Sequence, residues 1–362
     1  MFLLQQTFKI LESGSLSRQG AYDLQQAILA GNVSTPHLVG LFQLMSNRLP
    51  TKDEMLGFIQ ASREVATSFS VDYDVIDTSG TGGDNLQTFN ISTASAFVLA
   101  ALGVKVAKYG NRAISSKCGA ADVLEALDVK IDLPVLSAQK ILNEVGMVFL
   151  WAPLYQPSFR HVKEARTVFQ KVTYFNFLEP LLNPAGAKYQ LIGVSDIGMM
   201  HTMGEVLMEL GSQHILLVHS SEGMDEISPS GITHCVEYIT RDVALNETES
   251  DLERFALEKH LTNDPYLTRE FTINPHLAKL KVSLADIQGG SIKKNKQIIQ
   301  DILENRGSDG HVTSVLLNAA AGLMVMGKAA DFDEGIRKAA EVLQNGTAKQ
   351  ILDKLIAATK NG

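Results

Sequence analysis

The chain has little cysteine: Cys118 and Cys235 are the only two among its 362 residues. They stand far apart and outside any spacing that is typical of zinc ligands. This scarcity excludes a disulfide-rich scaffold, because such small domains depend on many paired cysteines. Two unpaired thiols fit a reducing compartment, so we expect a cytoplasmic protein.

The sequence also lacks an excess of positive charge and any long apolar run. Lysine and arginine number 32 against 40 acidic residues, which gives a formal net charge of −8. Broad nucleic-acid binding needs a basic face, so we expect no nucleic-acid partner. The opening segment MFLLQQTFKILESG is too short an apolar run for a signal peptide or a membrane span, and we expect no membrane partner.

What is present is an ordinary globular composition over a length that exceeds one compact core. Over residues 1–70, apolar residues recur at spacings of three and four, which is typical of amphipathic helices. Ser17 is placed to begin one helix, and Thr51 with Glu54 forms a capping box for another. These features predict a small N-terminal helical-bundle domain.

Beyond residue 70 the pattern changes to short apolar runs that alternate with helical stretches. The strand-like runs are VKVAKYG, GMVFLWAP, YQLIGVSD and HILLVHS. Strands that alternate with helices favour an α/β fold with a mostly parallel central sheet flanked by helices. Helical segments return over residues 291–360, where they could cover the sheet.

A glycine-rich loop is the strongest local signal for chemistry. The run DTSGTGGD, from Asp77 to Asp84, follows a predicted strand and leads within a few residues to a helix start at Asn90. Glycines allow a tight turn whose N–H groups converge, and a helix N-terminus adds free donors and a positive partial charge. The loop therefore predicts a phosphate or diphosphate site, although such a loop can also be a plain turn.

Two further loops are expected at the same edge of the sheet. One runs from Lys108 to Asp122 after the strand VKVA and carries cations, hydroxyls and glycine, which suits a diphosphate. The other contains Asp225 and Glu226 just past the strand HILLVHS. Carboxylates are the hard oxygen ligands that Mg²⁺ takes in small numbers, so this pair predicts a magnesium site.

Taken together, these motifs resemble those of the anthranilate phosphoribosyltransferase family. The resemblance is carried, in order, by DTSGTGGD, NIST, KYGNR, SSKCGAADVLEAL, PSFRHVKEAR, FNFLEPLLNPA and MDEIS, and it spans nearly the whole chain. It implies transfer of phosphoribosyl from phosphoribosyl pyrophosphate (PRPP) to anthranilate in tryptophan biosynthesis, with Mg²⁺ as cofactor. It also implies a homodimer whose helical domain, residues 1–70, is joined by roughly residues 160–185, with an α/β domain of residues 71–159 and 186–362.

The resemblance implies roles for individual positions, with no residue acting as acid or base because an aromatic amine is already neutral. The implied PRPP contacts are Gly80, Thr81, Gly83, Asp84, Thr88, Asn90, Ile91, Ser92, Thr93, Lys108, Ser116 and Ala120. The implied metal contacts are Ser92, Asp225 and Glu226. The implied contacts of anthranilate, or another acceptor, are Gly80, Tyr109, Asn111, Arg166 and Glu179.

The acceptor side departs from the family pattern at four positions. Tyr109 and Gln156 stand where the family usually has histidine, Thr167 where a second arginine is common, and Glu179 where glycine is usual. A carboxylate about 4 Å from the anthranilate carboxylate would repel it by roughly 1–4 kcal/mol. Either Glu179 turns away or pairs with a cation, or the acceptor is another aromatic amine.

Two other classes of function stay open at this point. The wider resemblance includes nucleoside phosphorylases, which would release a free base in a phosphate-dependent reaction. A non-catalytic binding protein descended from such an enzyme is the third alternative. The acidic pair Asp225 and Glu226 and the net negative charge speak against the last of these.

Overall fold

The structure, a computed structural model, describes residues 2–113, 117–244, 265–274 and 282–361. One seven-stranded sheet has the order β3-β2-β1-β4-β5-β6-β7. Its strands are β1 (Ile76–Gly80), β2 (Val106–Gly110), β3 (Met147–Trp151), β4 (Tyr189–Gly193), β5 (His214–Ser220), β6 (Thr233–Thr240) and β7 (Tyr266–Ile273). Strands β1 to β5 pair in parallel, and β6 and β7 add antiparallel. The prediction of a mostly parallel sheet in an α/β fold is confirmed.

Four helices precede the sheet in the chain, and the other helices lie between the strands or after the last of them. The first four are α1 (Phe2–Leu11), α2 (Arg18–Leu29), α3 (Thr35–Met45) and α4 (Lys52–Glu64). Between and beside the strands lie α5 (Ile91–Ala101), α6 (Ala120–Ala126), α7 (Val135–Val145), α8 (Ala152–Tyr155), α9 (Arg160–Phe169), α10 (Tyr174–Leu178), α11 (Met200–Glu209) and α12 (Arg241–Ala244). The last four are α13 (Ile292–Leu303), α14 (Asp309–Val325), α15 (Phe332–Gln344) and α16 (Thr347–Asn361). None of the described helices is long and apolar enough to cross a membrane.

The predicted start signals of the N-terminal helices act as expected. The Ser17 side chain accepts a hydrogen bond from the Gly20 N–H at the start of α2. At α4, Thr51 and Glu54 form the reciprocal capping box. Each arrangement provides partners for backbone N–H groups that a helix start leaves unpaired.

Helices α9 and α10 pack against the N-terminal helices through aromatic side chains. The ring of Tyr174 stacks on Phe58 with centroids 4.4 Å apart, and its hydroxyl donates to Gln25 Oε1 at 2.9 Å. Phe175 meets Phe42 edge-on at 6.0 Å. These buried contacts hold residues 160–182 beside the N-terminal bundle, and the exact division into two domains stays a prediction.

Strands β6 and β7 extend the sheet beyond the runs that the sequence analysis identified. Glu237 on β6 is buried and pairs with His214 on β5 at 2.8 Å and with Arg269 on β7. Burial acts to raise the pKa of Glu237, but its contacts with His214 and Arg269 hold that pKa below the ordinary value. A paired carboxylate can therefore occupy a buried strand position where an apolar residue would be expected.

Candidate active site

The glycine-rich loop begins where the strand order reverses. From β1 the chain passes outward to β2 and β3 on one side, whereas β4 and β5 extend the sheet on the other. Strands β1 and β4 are neighbours and place Gly80 opposite Gly193 at their carboxyl ends. Such a reversal opens the crevice in which α/β sheets bind ligands.

These two glycines leave room for Asp225, which enters the crevice from the loop after β5. A Cβ atom added to Gly80 would overlap the Asp225 carboxylate, and one added to Gly193 would overlap the Asp225 backbone. The Gly82 N–H donates to Asp225 Oδ2 at 2.7 Å. The predicted first and third loops therefore meet, and the strand register is what joins them.

The close approach at Gly193 gives a testable expectation. Replacing Gly193 by alanine is expected to displace the segment that carries Asp225. It should lower kcat/KM for PRPP, the donor that the family resemblance implies, by about 10²-fold, the scale of a misplacement of roughly 1 Å. Overpacking should also cost about 1–3 kcal/mol of stability in thermal or urea unfolding. Gly14→Ala is the matched control, since its nearest neighbour would lie 3.9 Å away. A fully active Gly193→Ala variant would contradict the crevice geometry.

Lys108 and Ser92 lie beside this junction. Lys108 is only 2% exposed, and its Nζ donates to Ser92 Oγ at 3.1 Å and to the carbonyl of Thr78. The Ser92 N–H, in the first turn of α5, donates to Glu226 Oε1 at 3.0 Å. Burial lowers the pKa of Lys108, while Asp77 and Glu226 act to raise it. All three predicted loops thus converge on one point.

The acidic groups in the crevice favour a bound cation. Burial raises the pKa of Asp225 above its ordinary value, and nearby Asp84 adds to the effect. Burial and the neighbouring Asp225 likewise raise the pKa of Glu226. Both residues keep some access to solvent, which a ligand needs. A divalent cation would relieve this repulsion between like charges, so the donor set fits Mg²⁺.

Protein side chains alone do not complete a metal site here. Within the part of the chain that the structure describes, no group of three or more His, Cys, Asp and Glu side chains is arranged to hold a metal ion. Mg²⁺ is often bound through one or two carboxylates together with substrate phosphates and water. The observed pair of carboxylates beside an anion-binding loop is consistent with that kind of coordination.

Helical segments close over the glycine-rich loop. Asn176 on α10 donates through Nδ2 to the carbonyl of Thr81 at 3.3 Å. The hydroxyl of Thr81 donates to Ser195 Oγ at 2.9 Å. Gly82 and Gly83 have φ of 63° and 84°, a region that favours glycine. A Cβ on Gly83 would stand 2.7 Å from Val172, so the loop and the α9–α10 segment fit closely.

The remaining predicted donor positions lie around the start of α5. The Asn90 side chain donates to the carbonyl of Cys118 at 3.0 Å and accepts from Asn295 Nδ2 at 3.0 Å. Thr88 forms an isolated bridge with Gln288. The side chain of Ile91 is fully buried in the core. The hydroxyl of Thr93 is buried and has no hydrogen-bond partner among the described residues. Ala120 is the first residue of α6. Ser116 lies outside the described residues.

On the acceptor side the structure places Arg166 and Glu179 together as an ion pair. Arg166 is 9% exposed and Glu179 has 19% of its side chain exposed. The guanidinium also lies over the Phe175 ring at 5.6 Å from its centroid. Glu179 therefore pairs with a cation, one of the alternatives that the sequence left open, and that cation is the predicted acceptor-binding arginine itself.

Tyr109 lies near the end of β2, and Asn111 directly follows that strand. Tyr109 is 3% exposed, and its hydroxyl is buried without a hydrogen-bond partner among the described residues. Burial, Glu179 and Asp77 all raise the pKa of that phenol. Asn111 Oδ1 accepts from the Arg112 N–H at 2.8 Å. The phenol oxygen is enclosed by the protein and has no open position for a ligand in this structure.

Some residues of the crevice were missed by the sequence analysis. Gly193 and Ser195 follow β4, Asn176 lies on α10, and Gln288 and Asn295 come from distant parts of the chain. The run YQLIGVSD had been identified only as a strand. Because ligands bind beyond the carboxyl ends of the central strands, its polar ending was a usable signal for Ser195.

The chain is similar to known proteins over nearly its whole length. The family described as "Glycosyl transferase family, a/b domain" matches residues 72–268 and 259–349. Anthranilate phosphoribosyltransferase of Myxococcus xanthus is 39% identical over 358 residues, covering 98% of each chain. That of Shouchella clausii is 39% identical over 349 residues, covering 96% of this chain and 95% of its own.

Solved structures of anthranilate phosphoribosyltransferases also resemble this chain. The crystal structure of anthranilate phosphoribosyltransferase from Thermus thermophilus superimposes with a TM-score of 0.83 at 32% identity, covering 99% of this chain and 100% of its own. The enzyme from Saccharomyces cerevisiae in complex with PRPP and Mg has a TM-score of 0.84 at 21% identity, covering 99% and 98%, and supports the fold. On these matches, the chain belongs to the anthranilate phosphoribosyltransferase family.

Proposed function

We propose that this chain transfers phosphoribosyl from PRPP to anthranilate, giving N-(5-phosphoribosyl)anthranilate and pyrophosphate in tryptophan biosynthesis. The observation that carries the proposal is the meeting of Gly82 with Asp225 and of Ser92 with Glu226 and Lys108 at the reversal point of the sheet. Family membership supports the same conclusion.

The donor site is built to bind a diphosphate. Loop N–H groups from Gly80 to Asp84 and the N-terminus of α5 supply donors and a positive partial charge. Lys108 adds a buried cation. These fixed groups stabilise negative charge as the bond between ribose and pyrophosphate breaks, which is where preorganised electrostatics lowers a barrier most.

Asp225 and Glu226, with Ser92, would hold Mg²⁺ against the pyrophosphate. When bound, Mg²⁺ neutralises charge on the leaving group and orients it. The protein contributes two carboxylates that are already oriented by the N–H groups of Gly82 and Ser92. Their raised pKa values mean that the cation competes with protons for this site, so donor binding should weaken at lower pH.

The acceptor would enter between the donor loops and helices α9 and α10. Arg166 is the cation placed to bind the anthranilate carboxylate, while Tyr109 and Asn111 line the β2 side. The aromatic amine needs no base to become nucleophilic, so alignment over the ribose carbon is the main task of the site. The Arg166–Glu179 pair favours a second candidate: an aromatic amine without a carboxylate as the acceptor.

One assay tests the activity and separates the candidates. Purified protein is mixed with PRPP and anthranilate, with and without Mg²⁺, and the loss of anthranilate fluorescence is followed. Aniline and uncharged anthranilamide replace anthranilate in parallel reactions analysed for pyrophosphate. Mg²⁺-dependent turnover of anthranilate supports the proposal, turnover of the uncharged amines alone supports the second candidate, and no turnover of any amine refutes both. Phosphate-dependent release of a base from nucleosides would instead indicate a phosphorylase.

We also propose the assembly and setting that accompany this activity. The helical domain, residues 1–70 joined by roughly residues 160–185, would mediate a homodimer, and residues 71–159 and 186–362 would form the α/β domain. Light scattering coupled to gel filtration tests the dimer through its mass. A cytoplasmic location is supported by the two free, buried thiols of Cys118 and Cys235.

A further inference from the structure

A buried asparagine holds the backbone that directly follows the acidic pair of the crevice. Asn318, in the middle of α14, is 1% exposed. Its Oδ1 accepts from the Ile227 N–H at 3.1 Å, and its Nδ2 donates to the Ile227 carbonyl at 3.1 Å. The same Nδ2 donates to the carbonyl of Ser314 at 2.9 Å. Glu226 is therefore joined to a residue whose two backbone groups are both held by one side chain.

The backbone of Ile227 needs an amide at this position. Its N–H can only donate and its carbonyl can only accept, so the side chain opposite must offer one acceptor and one donor side by side. Asparagine does so with its oxygen and nitrogen, whereas leucine, a side chain of similar size, offers neither. Without Asn318 both backbone groups of Ile227 would lose their partners in a buried segment, which is costly, and the segment should shift.

The residue before the acidic pair is held in a similar way. Met224 is fully buried. Its N–H donates to Ser220 Oγ at 3.1 Å, and its carbonyl accepts from the Ser220 N–H at 3.0 Å. Ser220 is the last residue of β5, so this contact joins the segment to the sheet. Asp225 and Glu226 thus lie between a contact to the sheet and a contact to α14.

Helix α14 also contacts the helix that carries Ser92. It packs along α5, where Ser95 Oγ donates to the carbonyl of Val315 at 3.4 Å. Ser92 lies one turn before Ser95, and its N–H donates to Glu226 Oε1. The same helix therefore supports both sides of the proposed metal site, Ser92 through α5 and Glu226 through Asn318.

We propose that Asn318 is a positioning residue for the magnesium site: it fixes Ile227 so that the Glu226 carboxylate stands where it can bind the cation with Asp225 and Ser92. This role rests on the proposed function, because the cation is the one that would accompany PRPP. Neighbouring carboxylates repel each other before the cation binds, so a fixed backbone is needed to keep both in place. Residues that orient metal ligands in this way are worth about 10–100-fold in metal affinity.

Binding of PRPP without acceptor tests this role apart from turnover. Isothermal titration calorimetry with the full chain measures it over a range of Mg²⁺ concentrations. Asn318→Leu keeps the approximate size of the side chain and removes its hydrogen bonds, and Asn318→Ala removes them without crowding. Each variant should need about tenfold more Mg²⁺ than the unmodified chain to reach half of the maximal PRPP affinity. At saturating Mg²⁺ its affinity should approach that of the unmodified chain.

Ser314→Ala is the matched control on the same helix. It removes another buried hydrogen bond of α14, which the Ser314 hydroxyl donates to the carbonyl of Gly310 at 2.9 Å, and it should leave the Mg²⁺ requirement unchanged. Thermal unfolding identifies the variants that are folded. An unchanged Mg²⁺ requirement in a folded Asn318 variant overturns the proposal. Binding of PRPP that is weakened equally at every Mg²⁺ concentration also overturns it, because this would indicate general distortion of the crevice. If the unmodified chain binds no PRPP with Mg²⁺, the proposed function itself fails and this role with it.

Hydrogen exchange in the unmodified chain adds a test that needs no variant. Because Asn318 accepts from the Ile227 N–H before any ligand binds, that amide should exchange slowly in the absence of PRPP and Mg²⁺. Rapid exchange that slows only when both are added would show that the ligands, and not Asn318, order the segment, and the proposal would then be wrong.

Discussion

Replacing Glu179 by glutamine is expected to lower the KM for anthranilate about tenfold and to leave the KM for PRPP unchanged. In the structure the Glu179 carboxylate occupies Arg166, the cation proposed to bind the acceptor carboxylate. Anthranilate must therefore compete with a carboxylate of the protein itself. Glutamine keeps an oxygen that can accept from Arg166 but removes the repulsion between the two negative charges.

The size of this effect follows from the burial of the pair. Like charges about 4 Å apart interact by about 1 kcal/mol in water and about 4 kcal/mol near a protein surface. A tenfold change in affinity corresponds to about 1.4 kcal/mol, within this range. Glu179 keeps 19% of its side chain exposed, so solvent screens the pair in part and the lower portion of the range applies.

The Glu179→Gln variant should bind anthranilate more tightly but should be less stable to unfolding. Arg166 is 9% exposed, and Glu179 is its only ion-pair partner among the residues that the structure describes, so the variant should unfold at a lower temperature in the absence of substrate. Anthranilate should then raise the unfolding temperature more in Glu179→Gln than in the unmodified chain, since only bound ligand restores the pairing. Opposite shifts in stability and acceptor affinity distinguish a competing carboxylate from general damage to the site.

Three further variants complete this experiment. Glu164→Gln removes another carboxylate of α9, one that accepts from Thr35 Oγ1 at 2.7 Å, and should leave the KM for anthranilate unchanged. Arg166→Gln should raise that KM, and adding Glu179→Gln to it should bring no further gain, because the two residues act as a pair. A higher or unchanged KM in Glu179→Gln would show that the carboxylate does not oppose the acceptor.

Much of the site could be predicted from sequence because its parts are local. The glycine-rich loop, the start of α5 and the acidic pair each follow a strand, and the carboxyl ends of parallel strands meet at one edge. The contact between Gly193 and Asp225 was not predictable in this way. It depends on Gly80 lying opposite Gly193, a register between strands that are far apart in sequence.

The strands that were missed have a related explanation. Glu237 occupies a buried position of β6, where a charged residue argues against a strand buried in the sheet. Only its partners His214 and Arg269, on the two neighbouring strands, make that position favourable. The role of Glu179 was equally hard to predict, because it depends on the ion pair with Arg166, which only the folded structure shows.

Neutralising both acidic residues of the crevice, in the variant Asp225→Asn with Glu226→Gln, is expected to lower kcat/KM for PRPP by at least about 10²-fold. The two carboxylates are the described groups that can bring Mg²⁺ to the pyrophosphate beside the loop at Gly82 and the start of α5. Asparagine and glutamine keep oxygen atoms that can accept from Gly82 and Ser92. The fold should therefore survive while attraction for the cation is lost.

The control and the readout separate a metal defect from a structural one. Glu222→Gln changes a carboxylate of the same loop that accepts instead from Ser230 at 2.6 Å and from Ser228, so its kcat/KM for PRPP should stay close to that of the unmodified chain. Mg²⁺ is titrated at fixed PRPP for all three proteins, and only the double variant should require a much higher concentration for half-maximal rate. Unfolding temperature in the absence of Mg²⁺ should not fall in the double variant. Burial and, after it, repulsion between the acidic groups raise both pKa values, and neutral amides remove both costs. An unchanged Mg²⁺ requirement would exclude this pair as the metal site, and the donor would then have to bind Mg²⁺ elsewhere in the crevice.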